Sequence, residues 1–394
     1  MSTCNIGIQN AVEGILNDQP WFKYDKTSGI IEIFDSPNGK INQQNSMGVA
    51  KKIATSINKS INNGYKVDLN PYERYDSLAS EEDLTLLFDL LSKFKDKNGN
   101  HPIITANCVV ANPDFDKIEE SDFSQYHYEL ITETFKKYPK HSNNFNLWLE
   151  GKKHQLFFPQ FHAREHLNVS LFMKDLRSRN KDVLFGFANK MPGSIPKLEP
   201  QKGNDYVEAT CYHSEIDKQE KLSIYLEGLD LFEELFGYKS LSIIPPNYTW
   251  NDDFNQSISE KGVMFIQGMR KMREPIIDNG FKFNSRFLGM RNSVGQIALV
   301  RNVSYEPSLK IESAIVNRVI EEISIAFAMG KPAIISSHRL NYVGFIDEKN
   351  RDSTLKLLDE ILKKEGLNYN QVAAIGDDLN DLKMLKKAGL SFAP

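Results

Sequence analysis

Cysteine is scarce in this chain: three residues, Cys4, Cys108 and Cys211, in 394. Their odd number and wide scatter exclude a disulfide frame and a cysteine-rich metal site. They suggest reduced thiols in a cytoplasmic protein. Basic residues are not in surplus either. The 48 Lys and Arg against 52 Asp and Glu leave a net charge of -4. Without an excess of cations to neutralise phosphates, nucleic acid is excluded as a partner. No apolar run is long enough to cross a bilayer. Residues 1–10 lack the charged-then-apolar order of a secretory signal. Internal repeats and long low-complexity tracts are absent. What is present, 40% hydrophobic and 25% charged residues, is the composition of a soluble globular protein of one large domain or two ordinary ones.

Short apolar runs alternate with longer helical patterns, which predicts an α/β fold. The predicted strands are Ile30–Phe34, Pro102–Thr105, Leu156–Phe161, Val183–Phe187, Ser242–Pro245, Val263–Ile266, Ile297–Val300, Ala333–Ser336 and Val372–Ile375. Predicted helices are Ser80–Lys95, Tyr126–Tyr138, Val169–Arg179, Gln219–Phe236, Ile311–Met329 and Arg351–Glu365. Ser80 followed by Glu81, Glu82 and Asp83 reads as a capped helix start. Strands separated by helices pair in parallel through crossovers, so a (β/α) barrel is the first expectation and an open doubly wound sheet the second. In either, ligands sit at the C-terminal strand ends.

Histidine is also sparse, at eight residues, and two of them stand four apart just after a predicted strand, in Phe161-His162-Ala163-Arg164-Glu165-His166. Imidazoles at that spacing can reach one metal ion, though the spacing also serves ordinary core-edge histidines. Asp35, Asn107 and His338 follow other predicted strands and could share the same rim. Two histidines and a carboxylate would hold a hydrolytic metal with a position open for water. His162, His166 and Asp35 are then ligands, with Asp35 alternatively the base and His338 the general acid. Arg164 and Glu165 could orient the ligands. Asn247, Trp250, Arg301 and Glu306, with Asn107 and Arg164, are candidates for substrate contacts. Tyr72, Tyr75, Arg74 and Asp76 could line the rim. Asp35 in Asp-Ser-Pro-Asn-Gly could simply begin a turn, and core packing is the favoured reading of the aromatic residues over a sugar-stacking surface around Tyr248 and Trp250.

Residues 159–168 (PQFHAREHLN) resemble the histidine motif of polysaccharide deacetylase-like proteins from bacterial surface-polysaccharide gene clusters. Further matching stretches are 70–84, 95–118, 244–250, 300–309 and 330–351, so the resemblance spans roughly residues 65–365. It implies a distorted (β/α) barrel and metal-dependent removal, with zinc the expected ion, of an N-acetyl group from a sugar or polysaccharide precursor. It matches His162 and His166 to the metal pair and His338 to the acid. The family pattern has adjacent aspartates at the first strand, where this chain has Asp35-Ser36, and glycine where Ala163 stands. A degenerate fold that binds carbohydrate or assists assembly without turnover is the alternative.

A second signal closes the chain. Val372-Ala373-Ala374-Ile375-Gly376-Asp377-Asp378-Leu379-Asn380-Asp381 reads as a strand, a carboxylate loop and a helix, which suits Mg²⁺ and phosphate. The last thirty or so residues resemble the final motif of haloacid-dehalogenase-type sugar-acid phosphatases, which makes Asp377, Asp378 and Asp381 an alternative Mg²⁺ site. That chemistry also needs a nucleophilic aspartate in a D-x-D. Asp114-Phe115-Asp116 has the spacing, and Asp35-Ser36-Pro37 lacks the second aspartate. The expected organisation is an N-terminal segment 1–29 of unclear role, a deacetylase-like barrel 30–365 and a phosphatase-like remnant 366–394 that supplies one strand–helix unit, with an active phosphatase the second alternative function.

Overall fold

The computed structural model describes residues 22–25, 30–33, 71–95, 98–188, 190, 206–277, 280–309 and 314–364. Its strands, in chain order, are β1 (Phe22–Asp25), β2 (Ile30–Ile33), β3 (Ile104–Val109), β4 (Ala111–Pro113), β5 (Tyr128–Leu130), β6 (Phe157–Ala163), β7 (Ser242–Ile243), β8 (Phe265–Gly268), β9 (Lys271–Ile276), β10 (Gly280–Ser285), β11 (Ile297–Val300), β12 (Val303–Ser304) and β13 (Ile335–Ser336). The α-helices are α1 (Pro71–Tyr75), α2 (Glu81–Ser92), α3 (Phe115–Glu120), α4 (Ile131–Lys137), α5 (Asn144–Lys153), α6 (Val169–Arg177), α7 (Lys181–Ala188), α8 (Glu215–Phe236), α9 (Asn255–Glu260), α10 (Ile315–Ala328) and α11 (Glu348–Lys364).

Five strands form the main sheet in the order β11-β8-β7-β6-β3, and every neighbouring pair is parallel. Each strand of this sheet lies beside the one before it in the chain. A polar belt crosses one face. Asn107 of β3 lies opposite Gln160 of β6. Gln160 Oε1 accepts hydrogen bonds from Ser242 N and Ser242 Oγ of β7 at 2.9 and 3.1 Å. Gln267 of β8 donates to Ser242 Oγ at 2.9 Å and to Asn107 Oδ1 at 2.8 Å. Asn107 and Gln267 sit on strands with two others between them. On a flat sheet that separation is about 14 Å, beyond the reach of two short amides. The sheet is therefore strongly curled, with the belt on its concave side. It does not close among the described residues: β3 and β11 are its edges, and β12 and β13 form a separate parallel pair. The architecture is mixed α/β with a curled parallel sheet, and a closed deacetylase-type barrel is not established.

Helix α8 covers the convex face. Phe161 packs edge-on against Tyr225 and Phe232, joined by Leu229, Trp250 and Phe254 in one buried cluster. The approach requires glycine at 228. A Cβ there would lie 2.7 Å from Phe161 Cζ and 2.9 Å from Arg164 Cβ. Ser80 caps α2 as expected. Its Oγ accepts from Asp83 N at 3.2 Å while Asp83 Oδ2 accepts from Ser80 N at 2.9 Å.

Asp83 also anchors the far end of the chain. Its Oδ1 accepts from Gly344 N and from Arg351 Nη1, both at 2.9 Å. Arg351 begins the second turn of α11, whose Leu357, Leu358 and Ile361 pack with Val316, Val319 and Ile323 of α10. Leu355, Leu358 and Leu362 reach Leu87 and Leu91 of α2. One predicted strand is a helix instead. Val183–Phe187 lies within α7, where Val183 and Phe187, four apart, are buried together against Phe172 and Leu176. A run this short and apolar fits a buried strand or one face of a helix equally well. The predicted strand Val372–Ile375 lies outside the described residues.

No helix of the described residues is long and apolar enough to cross a membrane. Cys108 and Cys211 are buried free thiols.

Candidate functional site

The sheet curls around a cavity of about 1170 Å³ whose lining includes His162, His166, Arg301 and His338. Strand alternation explains the placement. On β6, Phe161 turns to α8, so the adjacent His162 faces the opposite, concave side. His162 Nδ1 lies 2.5 Å from the carbonyl oxygen of Ile244, just past β7. A carbonyl can only accept, so Nδ1 carries the proton and Nε2 keeps its lone pair. Burial, with Arg301 and His338 nearby, lowers the His162 pKa to about 4, against the opposing effect of the Ile244 hydrogen bond. His166 follows in the turn after β6, its ring centroid 5.0 Å from that of His162. Burial and His162 lower its pKa to about 3, and its Nδ1 is buried without a hydrogen-bond partner. Both rings are neutral at pH 7.

His338 follows β13. Its Nδ1 lies 2.6 Å from Glu306 Oε1, while Glu306 Oε2 accepts from His338 N and Asn341 Nδ2 at 3.2 and 2.8 Å. Tyr72 of α1 meets the His338 ring edge-on at 5.6 Å between centroids. Burial, followed by the charge of Glu306, pushes the Tyr72 phenol up, so it remains a hydrogen-bond donor. Arg301 follows β11, and its Nη1 donates to Tyr248 Oη at 2.9 Å and to Ser336 Oγ at 3.1 Å. Beside it, Arg339 forks the buried carboxylate of Asp76 through Nε and Nη2, both at 2.9 Å.

The structure thus gathers His162, His166, His338, Arg301, Asn107 and Asn247 around one cavity. Asn107 is committed to the polar belt, and Asn247, at φ 52°, presents its backbone oxygen to Arg273 Nη2 at 2.9 Å. Glu306 acts through His338 and Asn341. Two expected contacts fall elsewhere. Arg164 points away from the cavity, forking Glu165 at 2.7 and 2.8 Å, pairing with Glu227 and stacking on Tyr128. Glu165 is buried, and loss of hydration raises its carboxyl pKa against the stabilising effect of Arg164. Trp250 is not a sugar platform. It is 2% exposed, and its Nε1 donates to Asn255 Oδ1 at 2.8 Å inside the core. Asp35, Asp377, Asp378 and Asp381 lie outside the described residues. Sequence reasoning passed over Arg339, Gln160 and Gln267. An arginine directly after a strand-end histidine was the available signal for the first; the two glutamines gave none.

Asp35, the third member of the expected zinc set, lies outside the described residues. No group of three or more His, Cys, Asp or Glu side chains placed to hold a metal occurs among the described residues.

Residues 348–393, beginning with α11, match the family of haloacid dehalogenase-like hydrolases. A phosphoserine phosphatase of Methanocaldococcus jannaschii is 32% identical over 80 residues, 20% of this chain and 37% of that protein. One from Archaeoglobus fulgidus is 35% identical over 79 residues, 20% of this chain and 22% of that protein. The chain thus spans little more than a third of the first relative and less than a quarter of the second. These matches overturn the expectation of N-deacetylation, because they point to phosphatases. The zinc ion and the role in polysaccharide synthesis were implied by that expectation, and both lose their support.

Proposed function

We propose that this chain is a divalent-cation-dependent hydrolase of phosphate monoesters. The observation that carries the reading is the match of residues 348–393 to haloacid dehalogenase-like hydrolases. On this reading Asp377, Asp378 and Asp381 hold the cation. Their oxygen donors suit Mg²⁺ better than zinc, which prefers nitrogen and sulfur partners. The bound cation would neutralise charge on the phosphoryl oxygens. The packing of α11 against α2 and α10 supports a matched segment that is built into the fold.

A nucleophilic aspartate is also required. Asp114 is poorly suited, since its carboxylate caps α3 through Lys117 N at 3.2 Å and pairs with Lys117 Nζ at 3.0 Å. Our candidate is Asp35, two residues beyond β2. Residues 30–365 act in this proposal as the body and 366–394 as the cation-binding tail, in a cytoplasmic protein.

Phosphoserine and p-nitrophenyl phosphate are the first substrates to assay. Phosphate release should require Mg²⁺, stop with EDTA, and fall by more than about tenfold in Asp377→Asn, by analogy with the losses seen when a metal's supporting groups are removed. Release that is absent in the wild type, or equal in Asp377→Asn, rejects the assignment.

A further inference from the structure

Three arginines line the same cavity: Arg273 is paired with Glu208, and Arg301 and Arg339 are in contrasting states. Arg339 has its Nε and Nη2 edge filled by the Asp76 carboxylate. Arg301 uses only Nη1, for the hydroxyls of Tyr248 and Ser336. Among the described residues its Nε and Nη2 carry no hydrogen bond, and no carboxylate pairs with it. That edge is the planar fork that grips a carboxylate or phosphate with two parallel hydrogen bonds. The Tyr72 hydroxyl, kept protonated by burial, also has no hydrogen-bond partner among the described residues. His162 Nε2 is likewise without one, because the Ile244 carbonyl holds the ring by Nδ1. The negative groups nearby are already engaged: Glu306 by His338 and Asn341, Asp76 by Arg339, Glu208 by Arg273 and Glu165 by Arg164.

We propose that the cavity binds the oxyanion of a small hydroxylated ligand, a carboxylate or a phosphate, on the open fork of Arg301. Tyr72 donates a further hydrogen bond to the oxyanion. His162 Nε2, a lone pair and not a donor, accepts from a neighbouring hydroxyl of the ligand. None of these residues lies within 348–393, so the site stands independently of the phosphatase reading.

Calorimetric titration of the full chain with inorganic phosphate, glucuronate and glucose tests the proposal. Saturable binding of phosphate or glucuronate, with neutral glucose much weaker, is expected, and the tighter anion identifies the group recognised. Arg301→Gln should weaken that binding by about tenfold or more, the loss expected for a charge-assisted fork. Arg301→Lys should retain part of it. Tyr72→Phe, which keeps the ring against His338, should cost several-fold and carries the test if Arg301→Gln fails to fold. With no divalent cation added, anion binding should persist although phosphate release stops, which separates this site from the proposed phosphatase site. Failure of both anions to saturate, or unchanged affinity in a folded Arg301→Gln or in Tyr72→Phe, overturns the proposal.

Discussion

Replacing Arg351 with methionine should destabilise the protein by about 3 kcal/mol. The side chains of Arg351 and Asp83 are 5% and 1% exposed, and their contact is 2.9 Å. Removing one partner of such a pair leaves a carboxylate in the interior without its counter-charge, which costs about 3–5 kcal/mol. The lower end applies because Asp83 keeps hydrogen bonds from Ser80 N and Gly344 N, each 2.9 Å long. A loss of about 3 kcal/mol is roughly a hundredfold in the folding equilibrium, and with a denaturant slope near 3 kcal/mol per molar it lowers the urea midpoint by about 1 M. Adding Asp83→Asn removes the stranded charge, so the double variant should lose less than the two single losses combined. Urea titrations followed by tryptophan fluorescence measure all four proteins. A loss under about 1 kcal/mol in Arg351→Met, or strict additivity in the double variant, would refute the reasoning.

Two further predictions follow from the same packing. His162 and His166 have folded pKa values of about 4 and about 3, below the ordinary 6.5, so the unfolded chain binds more protons between those values. Stability should therefore fall as pH drops from about 6.5 toward 4. Glu165, with its pKa raised by burial, acts in the opposite sense. The histidine contribution is the difference in the pH slope of Tm between wild type and a His162→Gln, His166→Gln double variant; identical slopes would dismiss it. Gly228→Ala should cost about 1–3 kcal/mol by overpacking, since the added methyl meets Phe161 at 2.7 Å. A thermal midpoint unchanged from wild type would show that α8 can shift away without loss.

Local signals in the sequence carried much of the fold. The capping box at Ser80, the apolar run before His162 and the β-rich Ile297–Val300 segment all became the elements their patterns implied. The hairpin of β9 and β10 escaped notice because Lys271–Ile276 has no clean alternation and contains Pro275. Long-range pairings were invisible for a different reason. Asp76 and Arg339 are 263 residues apart, and nothing in either neighbourhood names the other. The same limit hid the fork of Arg301, which is seen to be unfilled among the described residues only once its spatial neighbours are known. Arg164 misled because its position inside the histidine motif suggested a cavity role, whereas it lies one residue past β6, after a register shift in that strand, with its Cβ and N against Gly228 of α8. The function was misread from the longer resemblance, and the short C-terminal motif proved the better guide.

The strand order of the main sheet bears on how the chain can assemble. Because β3, β6, β7, β8 and β11 are neighbours in the order they are made, each finds its partner already synthesised when it leaves the ribosome. The sheet can grow from one edge, without waiting for a distant segment to be inserted between strands already paired. The contact between Arg351 and Asp83 is the opposite case, since it joins α11 to a helix made some 268 residues earlier. Growth of the sheet can thus proceed during translation, whereas the closing of the ion pair must wait until nearly the whole body has been made.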